Sequence, residues 1–320
     1  AEGKGDLWDS GLVPSGESQW IVYKGKKLKS NQRGWWKVKT YTTQGESDWS
    51  EPATWGIGLL KEANWSGRWI GMDKAAPWDD ETQWSRLSSR YIRKEFSLGK
   101  EVKRATVHIA GMGMYELYIN GEKVGDQVLA PAPTDFRKTI IYNSFDVTSM
   151  LAKDNAIGVT LGNGKFYTAR QNCKPCKTPT FGYPKLRLNL IVEYTDGTVQ
   201  TISSDEKWKL TADGPIRSNN EYDGEEYDAR KELGEWTRPG YDDSKWGNAQ
   251  RVSIPSATLR GAMAPNMKVL QTIRPLSIVK LGDKYIMDMG QNMVGWIRMK
   301  VRGDKDDVIK MRFAETLQKN

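Results

Sequence analysis

The sequence predicts an all-β protein made of consecutive antiparallel β-sandwiches, of jelly-roll and fibronectin III-like form. Three observations carry that expectation. Apolar and polar residues alternate with period two along one stretch after another, the pattern of half-buried strands. Two short turns, Asn120-Gly121 and Thr195-Asp196-Gly197-Thr198, sit between such stretches, and Asn-Gly is the strongest short hairpin signal. No stretch of repeated amphipathic helices interrupts them. The 320 residues divide by pattern into three units: 1–60, 61–255 and 256–320.

In the first unit, residues 34–41 (GWWKVKTY) form an alternating aromatic strand and 45–52 (GESDWSEP) close the unit. Trp36, Val38 and the corner Asp48-Trp49-Ser50-Glu51 resemble a fibronectin type III module. Such a sandwich takes about 100 residues, so the unit reads as a partial module with a supporting role. Residues 61–80 form a connector. Its tryptophans, Trp65, Trp69 and Trp78, with Trp84 just beyond, are expected to pack between domains rather than to stack on sugars.

The central unit begins with 91–98 (YIRKEFSL), expected at a sheet edge. Residues 106–119 carry Val107, Ile109, Tyr115, Leu117 and Ile119 on alternate positions, and Ile157, Val159 and Leu161 repeat the pattern. A short helical turn is expected at 149–154. Residues 163–180 read as a long polar loop, where ligand contacts tend to concentrate. Residues 185–194 place Leu186, Leu188, Leu190, Val192 and Tyr194 on one face and turn into 199–203. Trp208-Lys209-Leu210 is a further strand, 219–230 an acidic loop and 241–246 a closing polar corner. The last unit offers strands at 271–279, 284–288, 295–301 and 308–313. So small an apolar-faced sheet covers itself poorly, and it reads as the front of a larger sandwich.

Composition bounds the function classes. Net charge is +8 with 28% charged residues, and mean hydropathy is −0.67. Basic and acidic residues are interspersed, with no basic run, so the concentrated positive face that phosphate backbones require is not indicated. No run reaches the roughly 20 apolar residues of a membrane span, and no signal peptide opens the sequence. The expected location is periplasmic, cell-surface or secreted. Cys173 and Cys176 form a CxxC, but with His108 as the one histidine the chain lacks the roughly four ligands of a zinc site. They read as loop thiols, with a local disulfide open in an exported protein. His108 lies mid-strand and reads as a packed or surface histidine rather than a catalytic base.

Four motifs in order carry a family resemblance: GMGMYELYINGEKVGD with LAPAPTDFRK and YNSFDVTSML, then LGNGKFY, then YDGEEYDAR at 222–230, then DMGQNMVGW at 288–296. Together they resemble the amino-terminal, non-catalytic region of bacterial α-L-rhamnosidases: the sugar-binding β-sandwich and the opening of the next sandwich. The resemblance covers most of the chain from about residue 65. It implies an accessory region of an inverting hydrolase of terminal α-L-rhamnose. The partners it implies are rhamnose-containing carbohydrate and a catalytic helical barrel carried elsewhere, so no catalytic residue is expected here. The alternative from another class is a non-catalytic lectin or adhesin.

Two stretches are candidate sites. In 161–167, glycines flank Asn163, whose amide both donates and accepts, and Lys165 and Tyr167 follow. Lys165-Phe166 departs from the Trp-Tyr common in the family. The competing reading is a strand-end turn. In 219–228, Asn220 and Tyr222 are candidate carbohydrate contacts, and Asp223, Glu225, Glu226 and Asp228 are candidate ligands for Ca²⁺, a hard cation that takes oxygen donors. The resemblance implies a calcium ion that itself touches sugar hydroxyls. The competing reading is an acidic, solvated loop.

Overall fold

A computed structural model describes residues 5–81, 86–168 and 180–316. The pair Cys173/Cys176 and Trp84 lie outside the described residues. Strands dominate throughout; among the described residues there is no α-helix, only three single 3₁₀ turns. The chain separates into Ala1–Lys268 and Val269–Asn320.

At the amino end, β1 (Arg33–Trp36) pairs with β4 (Ala53–Gly56), and β2 (Tyr41–Thr42) with β3 (Gly45–Glu46). The single long strand expected at 34–41 is therefore two short ones. Between them the Val38 amide donates to Ser50 Oγ at 3.0 Å, a side-chain bond replacing a ladder bond.

The body of the molecule is a two-layered sandwich. Its strands are β5 (Ile70–Gly71), β6 (Arg90–Ser97), β7 (Val102–Met112), β8 (Met114–Ile119), β9 (Glu122–Lys123), β10 (Thr139–Asp146), β11 (Asp154–Gly162), β12 (Lys185–Tyr194), β13 (Val199–Ser203), β14 (Lys209–Thr211), β15 (Ile216–Asn220), β16 (Gly224–Tyr227), β17 (Gly247–Asn248), β18 (Gln250–Arg251) and β19 (Thr258–Gly261). One sheet runs β18-β5-β12-β7-β10-β19, with β13 also paired to β12; the other runs β17-β14-β6-β11-β8-β9; β15 and β16 pair only with each other, outside both sheets. Pairing is antiparallel except between β10 and β19. Val107, Ile109, Leu188 and Leu190 from the first sheet meet Ile92, Leu117, Ile157 and Val159 from the second in one buried cluster. Neighbouring residues on a strand face opposite ways. Ala110 and Met112 of β7 accordingly join Trp65, Trp69, Tyr142 and Phe166 in a second cluster on the other face. Thus Trp65 and Trp69 are core residues. Trp78 is half-exposed, with Arg217 over its ring at 4.8 Å.

Local turn chemistry matches the sequence pattern. Asn120 (φ 53°) and Gly121 (φ 87°) adopt the left-handed conformations that a tight hairpin of this hand requires. Asp146 Oδ1 accepts from the Thr148 amide and hydroxyl and opens the 3₁₀ turn Thr148–Met150.

Two expectations are overturned. Residues 91–98 are not at an edge: β6 lies between β14 and β11. What looked like a wet polar face buries Arg90 and Arg93, each matched to carboxylates: Asp79 for Arg90, and Asp243 and Glu95 for Arg93. Residues 219–230 are not a loop: β15 and β16 form a hairpin whose turn closes on Gly224 at φ 79°.

In Val269–Asn320, β20 (Ser277–Leu281) and β21 (Lys284–Asp288) form one antiparallel hairpin. The strands expected at 295–301 and 308–313 are not formed, and the one at 271–279 shortens to Ser277–Leu281. A strand needs a ladder partner for its backbone groups, and these two find none among the described residues. Trp296, Val301, Ile309 and Phe313 consequently remain exposed.

Candidate functional site

The two stretches singled out from the sequence are brought together at one end of the sandwich. Asn163, 1% exposed, directly follows β11 and is bracketed by Asn219 of β15. Its backbone amide donates to Asn219 Oδ1, and its Nδ2 donates to the Asn219 and Leu87 carbonyls, each at 2.7 Å. Asn219 Nδ2 in turn donates to Ser89 Oγ at 2.9 Å. The bracket joins β11, β15 and the entry to β6. Asn163 thus holds the framework through its backbone amide and Nδ2, while its Oδ1 is buried without a donor.

The flanking glycines serve the protein's own packing. A Cβ on Gly162 would stand 2.8 Å from Asn219 Oδ1, and one on Gly164, at φ 51°, 2.9 Å from Met114 Cγ. The close approach they permit is to Met114 and Asn219. Phe166 is fully buried against Phe136 and Phe181. Lys165 stays half-buried at the surface.

Tyr167 is buried and stacks on Tyr183, with ring centroids 5.8 Å apart and planes at 22°. Both hydroxyls donate to Glu81. Beneath them lies the fully buried Arg90, 3.6 Å from the equally buried Asp79. Arg90 Nη2 donates to the Lys74 carbonyl at 2.9 Å, while its Nε has no acceptor. Burial lowers the Arg90 pKa, against which Asp79 and the two tyrosines work. Burial and the Glu81 carboxylate push the Tyr183 hydroxyl up to about 12. Tyr183, Glu81, Arg90 and Asp79 were missed from the sequence. Nothing in their local pattern marks them, because they converge from separate strands and loops.

The acidic hairpin does not gather its carboxylates. Asn220 Oδ1 accepts from the Tyr222 and Asp223 amides, and its Nδ2 donates to Asp223 Oδ2 at 2.9 Å, so Asn220 and Asp223 build the turn. Glu225 and Glu226 are adjacent on β16 and face opposite ways. Glu226 pairs with Arg86. Asp228 accepts from the Arg230 amide and pairs with its guanidinium, which holds its carboxyl down at about 2. Partial burial and the Glu116 charge raise Glu225. Among the described residues no group of three or more His, Cys, Asp or Glu side chains is placed to hold a metal ion. Of the expected calcium ligands, Asp223 is held by Asn220, Glu226 by Arg86 and Asp228 by Arg230, while Glu225 lies on the opposite face of β16 from Glu226. Tyr222 stands 40% exposed at the tip.

His108 is likewise internal. Its Nδ1 meets Ser144 Oγ at 2.7 Å and its Nε2 meets Asn31 Oδ1 at 3.2 Å, tying the amino-terminal segment to the sheet. Among the described residues no helix is long and apolar enough to cross a membrane.

The sequence matches three families in succession. These are the Rha78A-like N-terminal immunoglobulin domain over residues 1–61, the alpha-L-rhamnosidase N-terminal domain over 100–271, and the bacterial alpha-L-rhamnosidase concanavalin-like domain over 280–320. An alpha-L-rhamnosidase of Formosa agariphila is 38% identical over 98% of this chain and 35% of its own length. Among solved structures, the alpha-L-rhamnosidase from Dictyoglumus thermophilum superposes with a TM-score of 0.77 at 39% identity, over 90% of this chain and 32% of that one. That from Aspergillus terreus gives 0.78 at 29%, over 91% and 34%. The chain spans between a quarter and about a third of the length of the curated relatives it matches. With the central match covering more than half its length, the chain belongs to the alpha-L-rhamnosidase N-terminal domain family.

Proposed function

We propose that this chain is the accessory, amino-terminal β-region of an α-L-rhamnosidase, an enzyme that releases terminal α-L-rhamnose from glycans or glycosides. The observation that carries the reading is the order of the three family matches, 1–61, 100–271 and 280–320, within relatives about three times as long. Glycosidase chemistry needs two carboxyl groups fixed roughly 5–10 Å apart across a cleft. The candidate carboxylates here are engaged in a turn and two ion pairs, with Glu225 on an exposed strand position. They are not arranged as an acid and base across a cleft. The chain's own role in this reading is to hold carbohydrate near a catalytic barrel carried elsewhere, or to brace that barrel.

The test is hydrolysis of an aryl α-L-rhamnoside. The chain alone is expected to release no aryl alcohol above background, whereas a protein joining it to a family catalytic barrel turns over. Turnover proportional to the concentration of this chain alone would refute the reading.

A further inference from the structure

An open groove of about 390 Å³ lies on the first sheet, remote in sequence from both stretches described above, lined by Glu62, Trp65, Arg68, Trp69, Arg187 and Arg251 among others. Three guanidiniums thus face one carboxylate. Their states differ. Arg187, on β12, is only 7% exposed and is fixed on every side. Its Nε donates to the Gly67 carbonyl at 2.7 Å, its Nη2 to the Trp65 carbonyl at 3.3 Å and its Nη1 to Glu62, and it lies over the Trp65 ring at 5.2 Å. Arg68 and Arg251 are exposed, and neither guanidinium has a hydrogen-bond or carboxylate partner among the described residues. Trp69, in the same wall, keeps a buried indole N–H without an acceptor.

We propose that this groove binds an acidic saccharide, one bearing a carboxylate or a sulfate ester, with Arg68 and Arg251 clasping the anionic group and Arg187 forming the fixed floor. The physical reasons are these. A guanidinium presents a planar fork of donors matched to two oxygens of a carboxylate or sulfate. Two such forks without partners on one concave surface make a local positive field, which an anion relieves. Neutral sugar recognition by stacking is disfavoured, because the Trp65 ring is already covered by Arg187 and Tyr142. Glu62 is the one anion in the groove, and its side chain is 70% exposed. It can swing outward when a ligand anion takes its place beside Arg187. The volume suits one or two sugar rings rather than a protein surface, since small-ligand clefts start at about 300 Å³. That the anion is carried on a saccharide rests on the carbohydrate reading above; that the groove takes an anion does not.

The test is calorimetric titration of the whole chain with three oligosaccharides of equal ring number: an oligogalacturonate, a sulfated oligosaccharide and a neutral one. At least one acidic probe is expected to bind roughly 10-fold or more tightly than the neutral probe, with affinity falling as salt rises. Whichever acidic probe binds identifies the acid. The double variant Arg68→Gln/Arg251→Gln, both at exposed positions, is expected to lose roughly 10- to 100-fold of that affinity with an unchanged melting temperature. Equal binding of neutral and acidic probes, no acidic binding, or a double variant that binds as before would overturn the assignment. A polyglutamate peptide binding as tightly as the acidic sugars would also overturn it, in favour of a peptide site. Aryl rhamnoside hydrolysis by the barrel fusion is read separately, so failure of either reading leaves the other standing.

Discussion

His108 allows a quantitative prediction about acid stability. The side chain is fully buried between β7 and its neighbours, hydrogen-bonded to Ser144 and Asn31, with Trp65 and Tyr142 edge-on at 6.3 Å. Burial, and then the Arg104 cation, lower its pKa from 6.5 to about 4. The other charge close by is Glu193, which holds both Arg104 and Asn31. In the unfolded chain the imidazole protonates near pH 6.5; in the folded protein it resists until about 4. Between those values the unfolded state binds more protons, so stability is complete above about 6.5 and falls as pH drops toward 4. At roughly 1.4 kcal/mol per pH unit, the loss is about 3 kcal/mol. Urea unfolding of the chain at a series of pH values measures it. His108→Gln, which keeps polar atoms for both partners but cannot titrate, should show a stability curve flatter by about that amount from neutrality to pH 4. Asp228 titrates near 2, below this window. Parallel curves for the two proteins would show that the buried histidine does not set the acid limit.

Two further perturbations test the framework. Asp79→Ala leaves the fully buried Arg90 without its carboxylate, and breaking a buried pair on one side costs about 3–5 kcal/mol; Arg90→Met/Asp79→Leu should recover most of it, read as denaturation midpoints. Gly164→Ala puts a Cβ at 2.9 Å from Met114 Cγ on a backbone at φ 51° and should cost about 1–3 kcal/mol, whereas Gly247→Ala, whose nearest neighbour is 3.7 Å away, should cost well under half of that in the same melt.

The parts of the fold that could be read from the sequence are those specified locally. Period-two alternation in β7, β8, β11 and β12 follows from each strand having at least one face on the buried cluster, and Asn120-Gly121 fixes its own hairpin because both residues reach positive φ. What escaped was set by distant partners. The central place of 91–98 was not legible because the burial of Arg90 and Arg93 beside it depends on carboxylates that include the distant Asp79 and Asp243. The hairpin at 216–227 was hidden by its acidity. Its turn depends on Asn220 accepting two amides, a side-chain geometry that composition does not reveal. Strands at 295–301 and 308–313 had the right alternation, but alternation states only which face would be buried, not whether a partner strand exists. At the candidate site, Asn163 and Asn220 were singled out in two separate stretches, and it is Asn219, between β15 and β11, that joins them. The glycines around Asn163 admit atoms of Met114 and Asn219, which are distant in sequence and so not legible from the motif itself.

Charge pairing separates structural polar groups from available ones, and it moves attention from the acidic hairpin to the arginine groove. A buried charge without a partner is too costly to retain, so pairing is the condition for its burial. Arg90 and Arg93 meet that condition in the interior, and Asp228 and Glu226 have partners at the surface. Groups already held this way give a ligand little, because binding must first replace an existing contact. Among the described residues the Arg68 and Arg251 guanidiniums have no such contact, and they lie beside Arg187, which is held by three hydrogen bonds. The groove could not have been read from sequence: Arg187 and Glu62 are 125 positions apart, and only the pairing of β12 and β18 with β5 brings them and Arg251 onto one surface. The same antiparallel pairing that closes the sandwich at its β18 edge therefore assembles a groove in which cations outnumber their carboxylate partners.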